Sequence, residues 1–156
     1  GYTSLKKVYG YEPVPAALEP EYHHHVLGAQ ANVWTEYMPV PEHVEYMVFP
    51  RLAALAEVLW SPENSRDWQG FSKRMEKQYL RYERDMLNYA KSAFQVVINA
   101  LPKPGTKTLE LTLTSEMYEP EIRYTTNGEN PDQNSLLYQK PFTISESSTV
   151  KAAVFG

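Results

Sequence analysis

A tryptophan and a glutamate, Trp34 and Glu36, stand two positions apart where an apolar run ends and a loop begins. An indole ring stacks on the apolar face of a pyranose, and a carboxylate accepts hydrogen bonds from sugar hydroxyls. These residue types at this spacing therefore form a candidate sugar-binding pair. The alternative is a core tryptophan beside an exposed loop glutamate, and the spacing alone favours that alternative.

The elements predicted on either side of this pair are a strand and a helix. Residues 25–34 form a short, mostly apolar run with small residues at its centre, which predicts a buried strand. After the loop, Pro41 and Glu42 suit the first turn of a helix that continues to about Trp60. In a barrel of alternating strands and helices, the junction after a strand lies at the C-terminal face, where active sites are built.

The helix predicted over residues 41–60 has apolar residues on two faces, so we expect it to be largely buried. Pro50 lies within it and predicts a kink, or two helical pieces that meet there. Arg51 and Glu57 are charged residues on this apolar helix, and buried charges are tolerated mainly when they are paired. We therefore predict structural ion pairs or hydrogen bonds for both residues, and no catalytic role.

A second, longer helix is predicted after Ser65, which is a credible N-cap. Its aromatic and methionine side chains recur at steps of three and four, so they form one face of an amphipathic helix. The residues of this face are Trp68, Phe71, Met75, Tyr79, Tyr82, Met86 and Tyr89. The opposite face carries mixed charges and is predicted to be solvated rather than to bind nucleic acid.

After about Ser92 the pattern changes to short strands separated by turn signals. Strands are predicted over residues 94–100, 109–114, 122–126, 142–144 and 150–155. A breaker cluster occupies residues 101–105, and Asn127-Gly128 predicts a turn. This spacing is typical of a β-sandwich. Residues 1–25 are predicted to be loop and turn, because their prolines do not fit a helix interior.

Composition excludes several classes of function. The chain has no cysteine, so disulfides, thiol catalysis and cysteine-ligated zinc are excluded. A formal net charge of -4 argues against a nucleic-acid partner. No apolar run approaches the roughly 20 residues of a transmembrane helix, and the first residues carry no signal-peptide h-region. The three aspartates, Asp67, Asp85 and Asp132, lie in polar contexts that do not suggest a catalytic carboxylate.

The three consecutive histidines, His23, His24 and His25, are a second candidate site. On an extended segment, alternate side chains point to opposite faces, so all three cannot bind one ion. Glu21 is the only acidic residue close by in sequence. A structural or surface role is therefore the better prediction than a metal site.

Two sequence signatures together resemble the end of the catalytic domain in family 20 β-N-acetylhexosaminidases. They are VLGAQANVWTEY at residues 26–37 and FPRLAALAEVLWS at residues 49–61, with YGYEPVP at residues 9–15 also fitting. Residues from about 107 onward resemble the small β-sandwich appended to many of these enzymes. This second resemblance rests on IRYTTNG at residues 122–128, on PF at 141–142 and on VKA at 150–152.

The resemblance implies a retaining hydrolase in which the substrate's own 2-acetamido oxygen attacks the anomeric carbon. A paired Asp-Glu on an earlier strand would orient the acetamide and protonate the leaving oxygen, and no Asp-Glu dipeptide occurs in this chain. Trp34 matches the tryptophan that lines the terminal sugar subsite, and Glu36 matches the glutamate that binds outer sugar hydroxyls. The resemblance also implies glycan substrates containing N-acetylhexosamine, no metal or organic cofactor, and an extracytoplasmic location.

We therefore expect an α+β chain of two parts. Residues 1–92 form the last strand and helices of a (β/α)8 TIM barrel, and residues 93–156 form a truncated antiparallel β-sandwich. Gly1 opens on sequence typical of a domain interior and the chain stops after a strand, so we expect an excised or trimmed piece of an enzyme, inactive alone and prone to self-association. Two alternatives stay open, namely an independent glycan- or protein-binding module and a purely structural scaffold.

Overall fold

The computed structural model describes residues 3–155, and the chain divides into two compact units between Lys91 and Ser92. The first unit is built from helices and turns, whereas the second contains two small antiparallel sheets. The chain is therefore a mixed helix and sheet structure, which is the α+β class. No helix within residues 3–155 is long and apolar enough to cross a bilayer.

Four α-helices form the first unit: α1 (Leu5–Tyr9), α2 (Pro41–Val48), α3 (Arg51–Trp60) and α4 (Trp68–Arg84). Short 3₁₀ turns lie between them at Pro20–His25, Thr35–Tyr37 and Glu63–Ser65. Helix α1 and the turn at Pro20–His25 correct the prediction that residues 1–25 are only loop. Ser4 accepts a hydrogen bond from the Lys7 amide and so caps α1, a local signal that the proline pattern obscured.

The strand predicted over residues 25–34 is wrong, and the structure shows no part of a barrel. Within residues 3–155 every strand lies after Ser92, and no strand pairs with this segment. Leu27 is 96% exposed and Val33 is 45% exposed. A parallel strand is stable when neighbouring strands accept and donate its backbone hydrogen bonds, and none of the described residues supplies them here.

The break predicted at Pro50 is confirmed, because α2 ends at Val48 and α3 begins at Arg51. The prediction that this region is largely buried is wrong. Helix α2 contains no buried residue, and α3 buries only Ala54 and Val58, while Leu52 is 45% exposed. Apolar periodicity predicts which faces of a helix are suited to burial. A face becomes buried only when another surface packs on it, and the described residues cover only one face of α3.

The core of the first unit is aromatic and lies along one face of α4. Five side chains of the predicted apolar face are buried, namely Phe71, Met75, Tyr79, Tyr82 and Tyr89. Met86 is an exception, because its positive φ of 54° departs from the helical backbone and its side chain is 89% exposed, and Trp68 is half-buried. Tyr9 of α1 stacks on Phe71 with ring centroids 4.6 Å apart, which joins the first helix to the last.

A polar network at Tyr9 links α1, α3 and the start of α4. The Tyr9 hydroxyl donates to Glu57 Oε1 at 2.9 Å and accepts from the Asp67 amide at 2.9 Å. Arg74 Nη2 donates to the same Glu57 oxygen at 2.6 Å. Burial raises the pKa of Tyr9, and the hydrogen bond to Glu57 adds to that shift, so the phenol stays a donor. The structural role predicted for Glu57 is confirmed.

Helix α4 begins two residues later than the sequence suggested. Asp67, not Ser65, is its N-cap, and its carboxylate accepts hydrogen bonds from the amides of Gln69 and Gly70. Ser65 instead donates to the Pro62 carbonyl within a 3₁₀ turn. Both residue types are good caps, and the Asp67 amide also donates to the Tyr9 hydroxyl.

The second unit contains six strands, β1 (Val97–Pro102), β2 (Leu109–Thr114), β3 (Glu121–Thr125), β4 (Leu136–Leu137), β5 (Phe142–Ile144) and β6 (Lys151–Phe155). The sheet orders are β1-β2-β5 and β4-β3-β6, with every pairing antiparallel. The predictions of β2 and β5 are confirmed. Strand β1 lies further along the chain than predicted and enters the proline cluster. It is an edge strand of its sheet, and an edge strand tolerates a proline such as Pro102.

Alternation along β2 and β3 places the core of the second unit between its two sheets. Leu111, Leu113 and Ile122 are buried. Tyr124 on β3 and Phe142 on β5 stack at 4.4 Å between ring centroids and so join the two sheets. The predicted turn is confirmed at Gly128, whose φ of +83° suits glycine beside Thr149.

We predict that replacing Tyr9 by Phe weakens the joint between α1 and α3. Loss of one buried hydrogen-bonding hydroxyl costs about 1–2 kcal/mol, and native-state hydrogen exchange of α1 and α3 amides in the full-length protein measures it. Tyr11→Phe is the matched control, because Tyr11 is 44% exposed. If the α1 and α3 amides were equally protected from exchange in the two variants, the Tyr9 hydroxyl would not join these helices.

We also predict that the 156-residue chain purified alone self-associates. Leu27, Trp34 and Leu52 expose apolar surface on the first unit, and such surface drives association. Sedimentation velocity should show concentration-dependent oligomers that Leu27→Glu with Leu52→Glu reduces. Leu80→Glu, on the charged face of α4, is the control and should change little. A monodisperse monomer at all concentrations would overturn this expectation.

Candidate functional site

The sequence-predicted pair lies on one exposed turn of the first unit. Trp34 is the N-cap residue of the 3₁₀ turn Thr35–Tyr37, and Glu36 lies within that turn. Trp34 is 70% exposed and Glu36 is also exposed. Trp34 is therefore not a core residue in this structure. Both side chains are accessible to a ligand, which is the property that a sugar-binding pair requires.

Trp34 lines a cavity of about 440 Å³, but Glu36 does not. The cavity lies where the loop before the turn meets α1, α2 and α3. Its lining residues are Val8, Ala31, Asn32, Val33, Trp34, Met38, Met47, Val48, Arg51, Leu52 and Leu55. The wall is mostly apolar, with Asn32 and Arg51 as the polar exceptions. The structure thus brings Trp34 to an apolar cavity and leaves Glu36 outside its wall.

Arg51 faces this cavity, yet its guanidinium is engaged by backbone carbonyls. Its Nη1 donates to the Met47 carbonyl at 2.7 Å, and its Nε donates to the Thr3 carbonyl at 2.9 Å. Carbonyls at a helix C-terminus lack partners within the helix, and a cation there is favourable. Arg51 therefore holds the end of α2, which confirms its predicted structural role.

The histidine run forms a turn rather than the extended segment assumed from its sequence. His23, His24 and His25 end the 3₁₀ turn Pro20–His25, and the rings of His24 and His25 lie 3.9 Å apart. His23 Nε2 is hydrogen-bonded to the Leu18 carbonyl at 2.9 Å. Among residues 3–155, no group of three or more His, Cys, Asp or Glu side chains is arranged to hold a metal ion.

A second cavity, of about 570 Å³, lies beside this turn and has a more acidic wall that includes Glu12, Glu19 and Glu63. Glu12 is engaged in structure, because its carboxylate accepts from the Val14 amide and from Arg66 Nη1 at 2.8 Å. The first of these contacts, followed by the arginine, lowers the pKa of Glu12. Glu12 is thus committed to contacts within the protein.

The residues that sequence reasoning missed are the apolar walls of the Trp34 cavity. Val48 and Leu52 belong to the helix face predicted to be buried, and Met47 was not singled out, because helical periodicity does not distinguish a core face from a cavity wall. The adjoining turn gave no clear signal either, because the spacing of Trp34 and Glu36 alone favoured a core tryptophan, whereas the turn is exposed.

Comparison with known proteins links both units to one kind of enzyme. Residues 1–63 match the catalytic domain of glycosyl hydrolase family 20, and residues 102–156 match the chitobiase/β-hexosaminidase C-terminal domain. A β-hexosaminidase from Porphyromonas gingivalis is 31% identical over 97% of this chain and 19% of its own length.

Two further relatives match about half of the chain. A β-hexosaminidase from Akkermansia muciniphila is 35% identical over 54% of this chain and 18% of its own length. A β-N-acetylhexosaminidase from Cellulomonas fimi is 40% identical over 48% of this chain and 15% of its own length. The chain thus spans less than a fifth of each of these relatives. Its residues 1–63 belong to the family 20 glycosyl hydrolase catalytic domain, and its residues 102–156 belong to the chitobiase/β-hexosaminidase C-terminal domain.

Proposed function

We propose that the protein containing this chain is a β-N-acetylhexosaminidase that removes terminal N-acetylglucosamine or N-acetylgalactosamine from glycans. The observation that carries this proposal is the match to a β-hexosaminidase along 97% of the chain, through both units. An extracytoplasmic location fits glycans as substrates, and the net charge of -4 fits an uncharged sugar partner better than nucleic acid.

The proposed reaction is retaining and assisted by the substrate. The oxygen of the 2-acetamido group attacks the anomeric carbon, and the bond to the leaving oxygen breaks as that oxygen receives a proton. Water then opens the cyclic intermediate and restores the acetamide. The Asp-Glu pair that would orient the acetamide and donate the proton is not in this sequence, so we assign this chain to sugar binding only.

Within that reaction we assign Trp34 to the wall of the terminal sugar subsite and Glu36 to the outer sugar hydroxyls. The exposure of both side chains on the turn Thr35–Tyr37 supports these roles. A carboxylate accepts hydrogen bonds from hydroxyl groups, which suits the binding of outer sugar hydroxyls.

The competing proposal is a binding module that has no part in hydrolysis. The second unit favours it in one respect, since it is a compact sandwich of its own. The match of residues 1–63 to a catalytic domain favours the enzyme. An Asp-Glu pair in the open reading frame upstream, at the distance of several barrel strands, would decide for the enzyme.

We predict that the chain of residues 1–156 does not hydrolyse an aryl N-acetyl-β-glucosaminide. It lacks the proposed acid and acetamide-orienting groups, and its exposed turn cannot exclude water from a reacting sugar. Release of the aryl alcohol is compared with a buffer blank and with the full-length protein. Turnover by the 156-residue chain above the blank would show that the catalytic groups lie within it.

We predict that Glu36→Gln in the full-length protein lowers kcat/KM by roughly tenfold to a hundredfold, because hydrogen bonds to a charged acceptor contribute about 1.5–3 kcal/mol. Much of this loss should disappear with a substrate that lacks the contacted hydroxyl. Glu19→Gln, a substitution of another exposed carboxylate in the first unit, is the matched control and should leave the rate unchanged.

The pH profile separates binding from catalysis for Glu36. A binding residue leaves both limbs of the profile of kcat/KM in place, since those limbs report the essential acid and base. Loss of the basic limb in Glu36→Gln, or rescue of its rate by azide, would identify Glu36 as a catalytic carboxylate and refute the assignment.

We predict that Trp34→Ala raises KM for the same substrate by about tenfold or more, because loss of one aromatic wall removes on the order of 1.5 kcal/mol or more of stacking and burial. Trp60→Ala is the matched control, since Trp60 is 89% exposed at the end of α3. An equal rise in KM for both variants would indicate a general structural effect and would remove Trp34 from the site.

A further inference from the structure

Helix α2 is held at several points by the segment that follows α4. The Asn88 amide donates to Glu45 Oε2 at 2.8 Å, and Asn88 Nδ2 donates to the Glu42 carbonyl at 2.8 Å. The Ala90 amide donates to the Phe49 carbonyl at 2.9 Å. These contacts run from the first turn of α2 to the residue after its last. We name residues 88–90 with Glu45 the α2 clamp.

The clamp matters because α2 has little else to hold it. None of its residues is buried, and Tyr46 and Met47 are 43% and 46% exposed. A helix of eight residues is not stable by itself and depends on tertiary contacts. Arg51 secures the carbonyl end of α2, and the clamp adds the contacts that secure its first turn.

The clamp is itself fixed by the aromatic core. Tyr89 lies between Asn88 and Ala90, is buried, and stacks on Tyr79 of α4 with centroids 5.3 Å apart. Its hydroxyl donates to Glu83 Oε1 at 3.0 Å, and burial followed by this contact raises its pKa to about 12. The segment is therefore anchored at its centre by a tyrosine and presents the neighbouring residues to α2.

Helix α2 and the Trp34 turn contribute to the same cavity. Met47 and Val48 from α2 line it together with Val33 and Trp34, and the turn ends at Tyr37, a few residues before α2 begins at Pro41. Displacement of α2 therefore moves the wall that Trp34 faces. It also releases the chain on one side of the turn that carries Glu36.

From this arrangement we propose that Glu45 and Asn88 are positioning residues for the sugar-binding turn at Trp34 and Glu36. Neither residue lines the Trp34 cavity, so neither is assigned to contact with substrate. The proposal rests on the proposed glycosidase function for its kinetic consequence, whereas its structural consequence stands without that function.

The kinetic test uses the full-length protein and an aryl N-acetyl-β-glucosaminide. Glu45→Ala is expected to raise KM roughly threefold to tenfold with kcat little changed, because the lost hydrogen bond is exposed and acts on the substrate only through the turn. Glu45→Gln keeps an oxygen that accepts from the Asn88 amide, and is expected to restore the KM of the unaltered protein. Glu76→Ala removes an exposed carboxylate of α4 and serves as the control.

A double-substitution cycle distinguishes positioning from general destabilisation. If Glu45 acts through the turn, Glu45→Ala should raise KM much less when Trp34→Ala is already present. Full additivity of the two substitutions would overturn the proposal, as would an unchanged KM in Glu45→Ala. Asn88→Ala, which removes only the contact to the Glu42 carbonyl, is the second variant should Glu45→Ala fold poorly.

Hydrogen–deuterium exchange supplies a readout that does not depend on activity. Amides of residues 33–48 should exchange faster in Glu45→Ala than in Glu45→Gln, while those of α4 stay protected. Unchanged exchange over residues 33–48 would refute the clamp even in an active enzyme. If the full-length protein hydrolysed no N-acetylhexosaminide but exchange rose as expected, the proposed function would fail and the clamp would stand.

Discussion

The hydroxyl of Tyr9 is the contact on which the first unit depends, because it links α1, where Tyr9 lies, to two further helical segments. It donates to Glu57 of α3 and accepts from the amide of Asp67, the residue that caps α4. A buried hydroxyl with both functions satisfied rigidifies its surroundings, whereas a half-satisfied one is costly. The stacked pair of Tyr9 and Phe71 adds apolar contact at the same place. The hydrogen bonds and the ring stacking of Tyr9 therefore act at the same place, and together they fix the orientation of α3 on α4.

The two units bury their apolar side chains in different ways. In the first, tyrosines on amphipathic α4 and just after it pack on one another, and Tyr89 donates its hydroxyl to Glu83. In the second, alternate residues of β2 and β3 face each other across two sheets, and Tyr124 with Phe142 fills the space between. The second unit needs no helix for this, since two three-stranded sheets with one apolar face each can cover one another.

Helix α2 differs from both cores because polar contacts, not burial, hold it in place. Arg51 engages its carbonyl end and the α2 clamp engages its first turn and its flank. Exposed hydrogen bonds contribute less than buried ones, so this helix is the part of the first unit whose position is easiest to alter. The turn with Trp34 and Glu36 precedes it directly, which places the proposed sugar-binding residues beside the least firmly held element. The proposed binding of a sugar at this turn therefore depends on how firmly α2 is held.

By itself, the sequence determined what is local. The apolar face of α4, the break at Pro50, strands β2 and β5 and the turn at Gly128 follow from periodicity, proline and glycine, and all are present. The signatures at residues 26–37 and 49–61 also pointed to family 20 before any contact was known.

The tertiary structure decided the features that depend on contact with another segment of the chain. Residues 25–34 read as a strand, but no described strand pairs with them. Asp67 rather than Ser65 caps α4, and its amide donates to the hydroxyl of the distant Tyr9. Trp34 is exposed instead of packed, since burial is a property of the surface that covers a residue and not of the residue type.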